Sequence, residues 1–114
     1  MATKCIIGIK RESGTVDSII CWSDGYPDHM GPVLTENYET PEKAEAMLAG
    51  GDLNFLDTTL AKSIYEHRDR KADWEKCKPQ TYNNVGSFLR SSFDFDYAYI
   101  FMDGQWNYFN PNES

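Results

Sequence analysis

The chain has 114 residues, 18 acids against 11 Lys and Arg, and a net charge of −7. That length is one domain's worth, 1–114, and buries roughly two-thirds of its unfolded surface, so it folds without staples. An acidic balance argues against direct nucleic-acid binding. No apolar run approaches the ~20 residues of a membrane span, and the N-terminus lacks a signal-type apolar core.

Composition adds three expectations. Cys5, Cys21 and Cys77 form no CxxC pair, so they read as free thiols in a reducing cytoplasm and not as a zinc site. Six Phe, seven Tyr and three Trp exceed the needs of one small core. Some rings therefore belong at the surface or in an interface, which admits a homodimer. Charge is uneven: from Glu12 to Asp57 the only base is Lys43, while residues 62–78 are rich in Lys and Arg. The plain reading is a solvated surface; the alternatives are an acidic face for a basic partner or a basic pocket for an anion.

In chain order, residues 4–10 (KCIIGIK) and 15–22 (TVDSIICW) are apolar, β-branched runs around RESG, and predict an antiparallel hairpin. In the second run Val16, Ser18 and Ile20 share one face, and Asp17, Ile19 and Cys21 the other. Gly8 marks a bulge or a close neighbour. Asp24-Gly25 predicts a turn, and Tyr26-Pro27 holds Tyr26 extended. A helix follows from near Asp28, with Pro32 in its first turn. Residues 40–51 (TPEKAEAMLAGG) predict a second helix, with Thr40 as N-cap, Pro41 at N1 and a stop at Gly50-Gly51. Leu53, Phe55 and Leu56 are expected buried in a short connection. Residues 62–67 suggest a strand turning at RDRKAD, and residues 71–79 a loop or short helix. TYNNVGSFLRSS suggests a helix capped by Thr81, with Val85, Phe88 and Leu89 on one face. YAYIFM and QWNYF flank Asp103-Gly104, the strongest short hairpin signal; the tail NPNES should fray. The order implies an α+β fold: an antiparallel sheet with two or three short helices packed on one face.

Candidate chemistry is sparse. A Cys–His nucleophile would need Cys21 or Cys77 beside His29 or His67, and Cys21 sits among apolar neighbours. Asp24, Asp28 and His29, with His67, could be gathered for a metal, but Asp24 already opens a turn. AGGD closes a helix instead of opening one, so there is no phosphate cradle. No metal or cofactor is expected. Arg68 and Arg70 flank Asp69; in a strand they would share a face and present two guanidinium forks to a phosphate or carboxylate. The plain alternative is an exposed ion-pair cluster. Trp22, Tyr26 or Trp74 could stack on a base or a guanidinium beside them.

Residues IICWSDGYPDHMG, with VLTENYETPEKAEAMLAGGDLNFL after them, resemble a group of small phage and prophage proteins. The resemblance is carried by Cys21, Asp24, Gly25, Tyr26, Pro27, Gly31, Tyr38, Gly51, Asp52 and Leu53, and extends to Arg68-Asp69-Arg70 and the Tyr-rich hairpin. Where that group usually has His, this chain has Trp22, which favours binding over catalysis. The resemblance implies a phage origin more than an activity; because short accessory phage genes often act against host defence, the expectation is a non-enzymatic binding protein in the host bacterial cytoplasm that counters that defence. In the first version it sequesters a small nucleotide-derived signal with Trp22, Tyr26, Arg68 and Arg70, rimmed by Asp24 and Gly25. In the second it is an acidic inhibitor whose Glu36, Glu39, Glu42 and Glu45 cover a basic site on a host defence protein, as a nucleic-acid mimic would. A small hydrolase using His29 or His67 ranks last.

Overall fold

A computed structural model describes residues 3–111. Seven strands form one sheet, and its spine follows the order β4-β3-β2-β1-β6-β7. β1 (Cys5–Lys10) and β2 (Val16–Cys21) make the expected hairpin, in register from Cys5↔Cys21 to Lys10↔Val16. Its turn is closed by Arg11 N–H on Thr15 O and by Gly14 N–H on Arg11 O, with Gly14 at φ +96°. That left-handed angle is why the turn carries glycine. β6 (Tyr97–Met102) and β7 (Gln105–Phe109) form the second hairpin. Asp103 and Gly104 both take positive φ, 55° and 78°, as a type I′ turn requires.

The sheet is mixed, not antiparallel. β1 pairs parallel with β6, from Cys5↔Tyr97 to Ile9↔Phe101, and β2 pairs parallel with β3 (Leu53–Phe55) at Cys21↔Leu53. The helices also cover both faces instead of one. α1 (Pro27–Asn37) and α2 (Pro41–Ala49) bring Met30, Val33, Leu34, Met47 and Leu48 onto Ile7, Ile9, Ile19 and Phe101. On the other face α4 (Val85–Ser91) sets Phe88 against Ile6, Val16, Ala98 and Ile100. The physical reason is that β1 is apolar at both parities. A central strand with Ile6 and Ile7 both buried needs cover on both sides. Gly8 is the close approach its sequence signalled: a Cβ there would lie 2.8 Å from Phe88 and from Val16.

Local signals hold with three corrections. Thr40 caps α2 by accepting Lys43 N–H at 3.2 Å, and Gly51 at φ +81° follows its end. In α1, however, Pro27 is the N1 residue and Pro32 lies in the interior, beyond the first turn. Pro32 and Asp28 are both exposed, so the i−4 bond that Pro32 cannot make is lost on the solvent side of the helix, where it costs least. α4 is capped by Asn84, which accepts Ser87 N–H at 2.8 Å; Thr81 lies instead in β5 (Gln80–Tyr82) and donates to Asp17. The suggested strand over residues 62–67 shrinks to β4 (Ile64–Tyr65), paired with β3, and the 71–79 stretch holds the one-turn α3 (Trp74–Cys77). The expected fraying of the tail falls largely on residues 112–114, outside the described residues.

β2 changes neighbour along its outer edge. β5 takes Val16, Asp17 and Ser18, and β3 takes Cys21. In the gap, Ile20 N–H donates to Asp52 Oδ1 at 2.8 Å, so a carboxylate replaces a strand. Burial pushes Asp52 up to about 6 from the usual 3.8; the Ile20 N–H pulls it down and the Glu66 charge pushes it further up. A raised carboxyl binds its proton more tightly when folded. Its contribution to stability is therefore present below pH ~4 and is lost as pH rises towards ~6. Asp52→Asn keeps the acceptor and removes the charge. It should be more stable than the parent by on the order of 2 kcal/mol near neutrality, and the gap should close as pH falls to about 4, read by thermal melts across pH.

Candidate functional site

The Asp-Gly-Tyr-Pro turn leaves the end of β2 and enters α1. Asp24 is at φ 54°. Gly25 is buried: its N–H donates to Thr3 O at 2.9 Å, its carbonyl accepts the Tyr99 hydroxyl at 2.8 Å, and a Cβ would lie 2.8 Å from Cys5 Sγ. Gly25 is thus a packing position under the turn, not an open rim. Tyr26 is extended and its carbonyl starts α1 by accepting from His29 and Met30. Trp22 and Tyr26 are each 40% exposed, which leaves two rings at this end for contact. Trp22 has the Lys4 ammonium over it at 5.8 Å, while Tyr26 leans on His29, which stacks on Phe55 at 5.2 Å.

Arg68 and Arg70 lie in a turn after β4, so the shared strand face does not form. Arg68 folds back over the Tyr65 ring at 4.9 Å. Its Nε donates to Asp69, Nη1 to Leu60 O at 3.0 Å, and Nη2 to Ser63 O at 2.6 Å. Asp69 is in turn lowered, first by its bond to Arg68. Arg70 stands 3.7 Å from Glu66. The ring cluster and the arginine turn belong to the same end of the sheet, linked through the Phe55↔Ile64 pair. Arg68, however, already clamps its own loop, and no ring contact joins it to Trp22 or Tyr26 among the described residues.

The other chemistry is equally occupied. His29 Nε2 donates to Leu56 O at 2.9 Å, and Cys21 Sγ donates to Ser23 O, so the two do not form a dyad. His67 Nδ1 donates to Ala72 O at 2.8 Å beside the edge of Trp74. Cys5 and Cys21 face each other across the hairpin, fully buried, and burial pushes the Cys5 thiol up. Among the described residues no three His, Cys, Asp or Glu side chains gather as a metal would need.

A crevice opens at the far end of β1 and β2, a strand length or about 17–20 Å away. β1 and β6 run parallel and end together, but β1 turns out to β2 and β6 turns the opposite way to β7. Where neighbouring parallel strands send their chains apart, a gap is left beyond their carboxyl ends. Here the gap is a cleft of about 510 Å³ lined by Ile9, Arg11, Glu12, Pro41, Phe101 and Asp103, among others. A smaller one of about 210 Å³, lined by Thr35, Glu39 and Trp106, adjoins it at Gly104. Arg11 forms the wall: it pairs with Asp17 at 2.9 Å and with both oxygens of Glu45, and those bonds hold the guanidinium charged.

Of the four acids of the inhibitor expectation, Glu45 lines the larger cleft and Glu39 the smaller, while Glu42 and Glu36 each follow a lining residue, Pro41 and Thr35, in the chain. Glu36 is in the last turn of α1, Glu39 lies in the link, and Glu42 and Glu45 are on α2; all four are exposed. Lys43 pairs with Glu39 at 2.9 Å and Arg11 with Glu45. Among the described residues no ion pair holds Glu36, Glu42, Glu12 or Asp103. Glu12, Pro41 and Asp103 were not among the residues expected at a site. Their only signals were the two turns, and nothing local shows that those turns converge.

No family model, curated protein or solved structure matches this chain. The arginine geometry gives its own prediction. Arg68→Ala should lower stability by about 1 kcal/mol, because two loop carbonyls lose their donor, whereas Arg70→Ala should change it little; paired melts check this.

Proposed function

We propose that this protein is a non-enzymatic acidic binder that covers a basic site on a bacterial host protein, the inhibitor version of the phage-type reading. The observation that supports it is the contrast between the two ends. The arginine fork offered for an anion is used internally. The crevice end carries four exposed acids without ion pairs against one comparable base, Lys10. Glu36 adds a second support. It sits in the last turn of α1, where no base balances the negative end of the helix dipole. An acid kept where the fold disfavours it is a sign of use elsewhere.

Such an interface depends on charge. Binding to the captured host protein should weaken steeply as salt rises to about 1 M, where screening reaches ~3 Å. Glu36→Lys with Glu42→Lys should weaken it about tenfold or more with little net change in melting temperature, because a base gains at the end of α1 about what it loses in the first turn of α2. Arg68→Ala should leave it unchanged. Salt-insensitive binding that survives the charge reversal would overturn the reading. A nucleotide that raises the melting temperature through Arg68 would replace it with the sequestration version.

A further inference from the structure

We infer that the crevice beyond β1 and β6 is an anchor site for one basic side chain, arginine or lysine, of a partner protein. The inference rests on the acidic-binder reading and adds to it the position and chemistry of the anchor. The floor comes first. Ile9 and Phe101 are register partners on the two parallel strands and close the bottom of the cleft with apolar atoms. An arginine or lysine stem is apolar along its length and suits such a floor, with its charged head left at the mouth.

The mouth decides the sign. Glu12, after β1, and Asp103, after β6, both line the cleft, both exposed and without an ion pair among the described residues. The wall cation Arg11 is already matched by Asp17 and Glu45, which leaves Lys10 as the lining base without an ion pair. An anion would meet Glu12 and Asp103 directly, and an uncharged apolar group would desolvate them without replacement. A cation seated in the cleft gains from both lining carboxylates. At about 510 Å³ the cleft exceeds one side chain, and the adjoining space of about 210 Å³ leaves room for the neighbouring residues of the segment.

The test uses N-acetyl-arginine amide as the probe and the full chain labelled with ¹⁵N. The probe should shift the amides of Ile9 to Glu12 and of Phe101 to Gly104, saturating with a dissociation constant of about 1 mM, as a ligand of that size allows. Glu12→Gln with Asp103→Asn should weaken it about tenfold. Asn tolerates the left-handed angle at position 103, so the hairpin is kept. N-acetyl-glutamate amide should have no such effect. Absence of saturation, an equal response to the glutamate probe, or shifts gathered around Glu36 and Glu42 alone would overturn the anchor. The last outcome leaves the acidic-binder reading standing, since that reading is decided by its own salt, charge-reversal and nucleotide tests.

Discussion

The parallel pairing of β1 with β6 fixes nearly everything else in the molecule. It joins the first strand to the last hairpin, in register from Cys5↔Tyr97 to Ile9↔Phe101. It makes β1 an interior strand, so both its faces need cover, and α1, α2 and α4 supply it. It also brings two turns to the same level and sends them apart, which opens the crevice. An antiparallel meander of the same strands would have neither the two-sided core nor the gap.

The two ends of the sheet are built differently. At the Asp-Gly-Tyr-Pro end, polar groups are matched within the chain: Gly25 with Thr3 and Tyr99, His29 with Leu56, Arg68 with Leu60 and Ser63. Such matching makes a well-determined corner. Most of the residues on which the sequence-based expectation of a phage protein rested lie there, and the geometry gives several of them a structural role. Gly25 packs on Cys5, Pro27 begins α1, and Asp52 bridges to β2. At the crevice end Arg11 ties the first turn to α2 and stiffens one wall, while acids beside it face outward unmatched.

What could be read from sequence follows the range of each interaction. Both hairpins were legible, because Gly14 and Asp103-Gly104 act over a few residues. So was α2, whose Thr40 cap and Pro41 are local. The parallel pairs were not, since β1 and β6 meet only through the whole fold. One trace was present: Ile6 and Ile7 are apolar at adjacent positions, which already asks for two covered faces. Thr81 competed as a helix cap with Asn84, three residues on, and lost because β2 needed a neighbour at Asp17. At the candidate site, the acids on α1 and α2 were visible as charge, whereas Glu12 and Asp103 became partners only through topology. The arginine pair was visible as well, but the fold-back of Arg68 onto Leu60 and Ser63 was beyond any local pattern.

The central position of β1 has a consequence for synthesis on the ribosome. The hairpin of β1 and β2 can form early, but Lys4 and Asp96, which exchange backbone and carboxylate bonds at the start of the pair, are 92 residues apart. Until β6 emerges, the nascent chain carries CIIGI with one flank unpaired and both apolar sides incompletely covered. Non-local closure of this kind is slow, and an unpaired apolar edge invites pairing with other chains. Most of the polypeptide must therefore leave the exit tunnel before its first strand is safe, so holding chaperones, translation speed and truncation near the C-terminus bear directly on how much native protein accumulates.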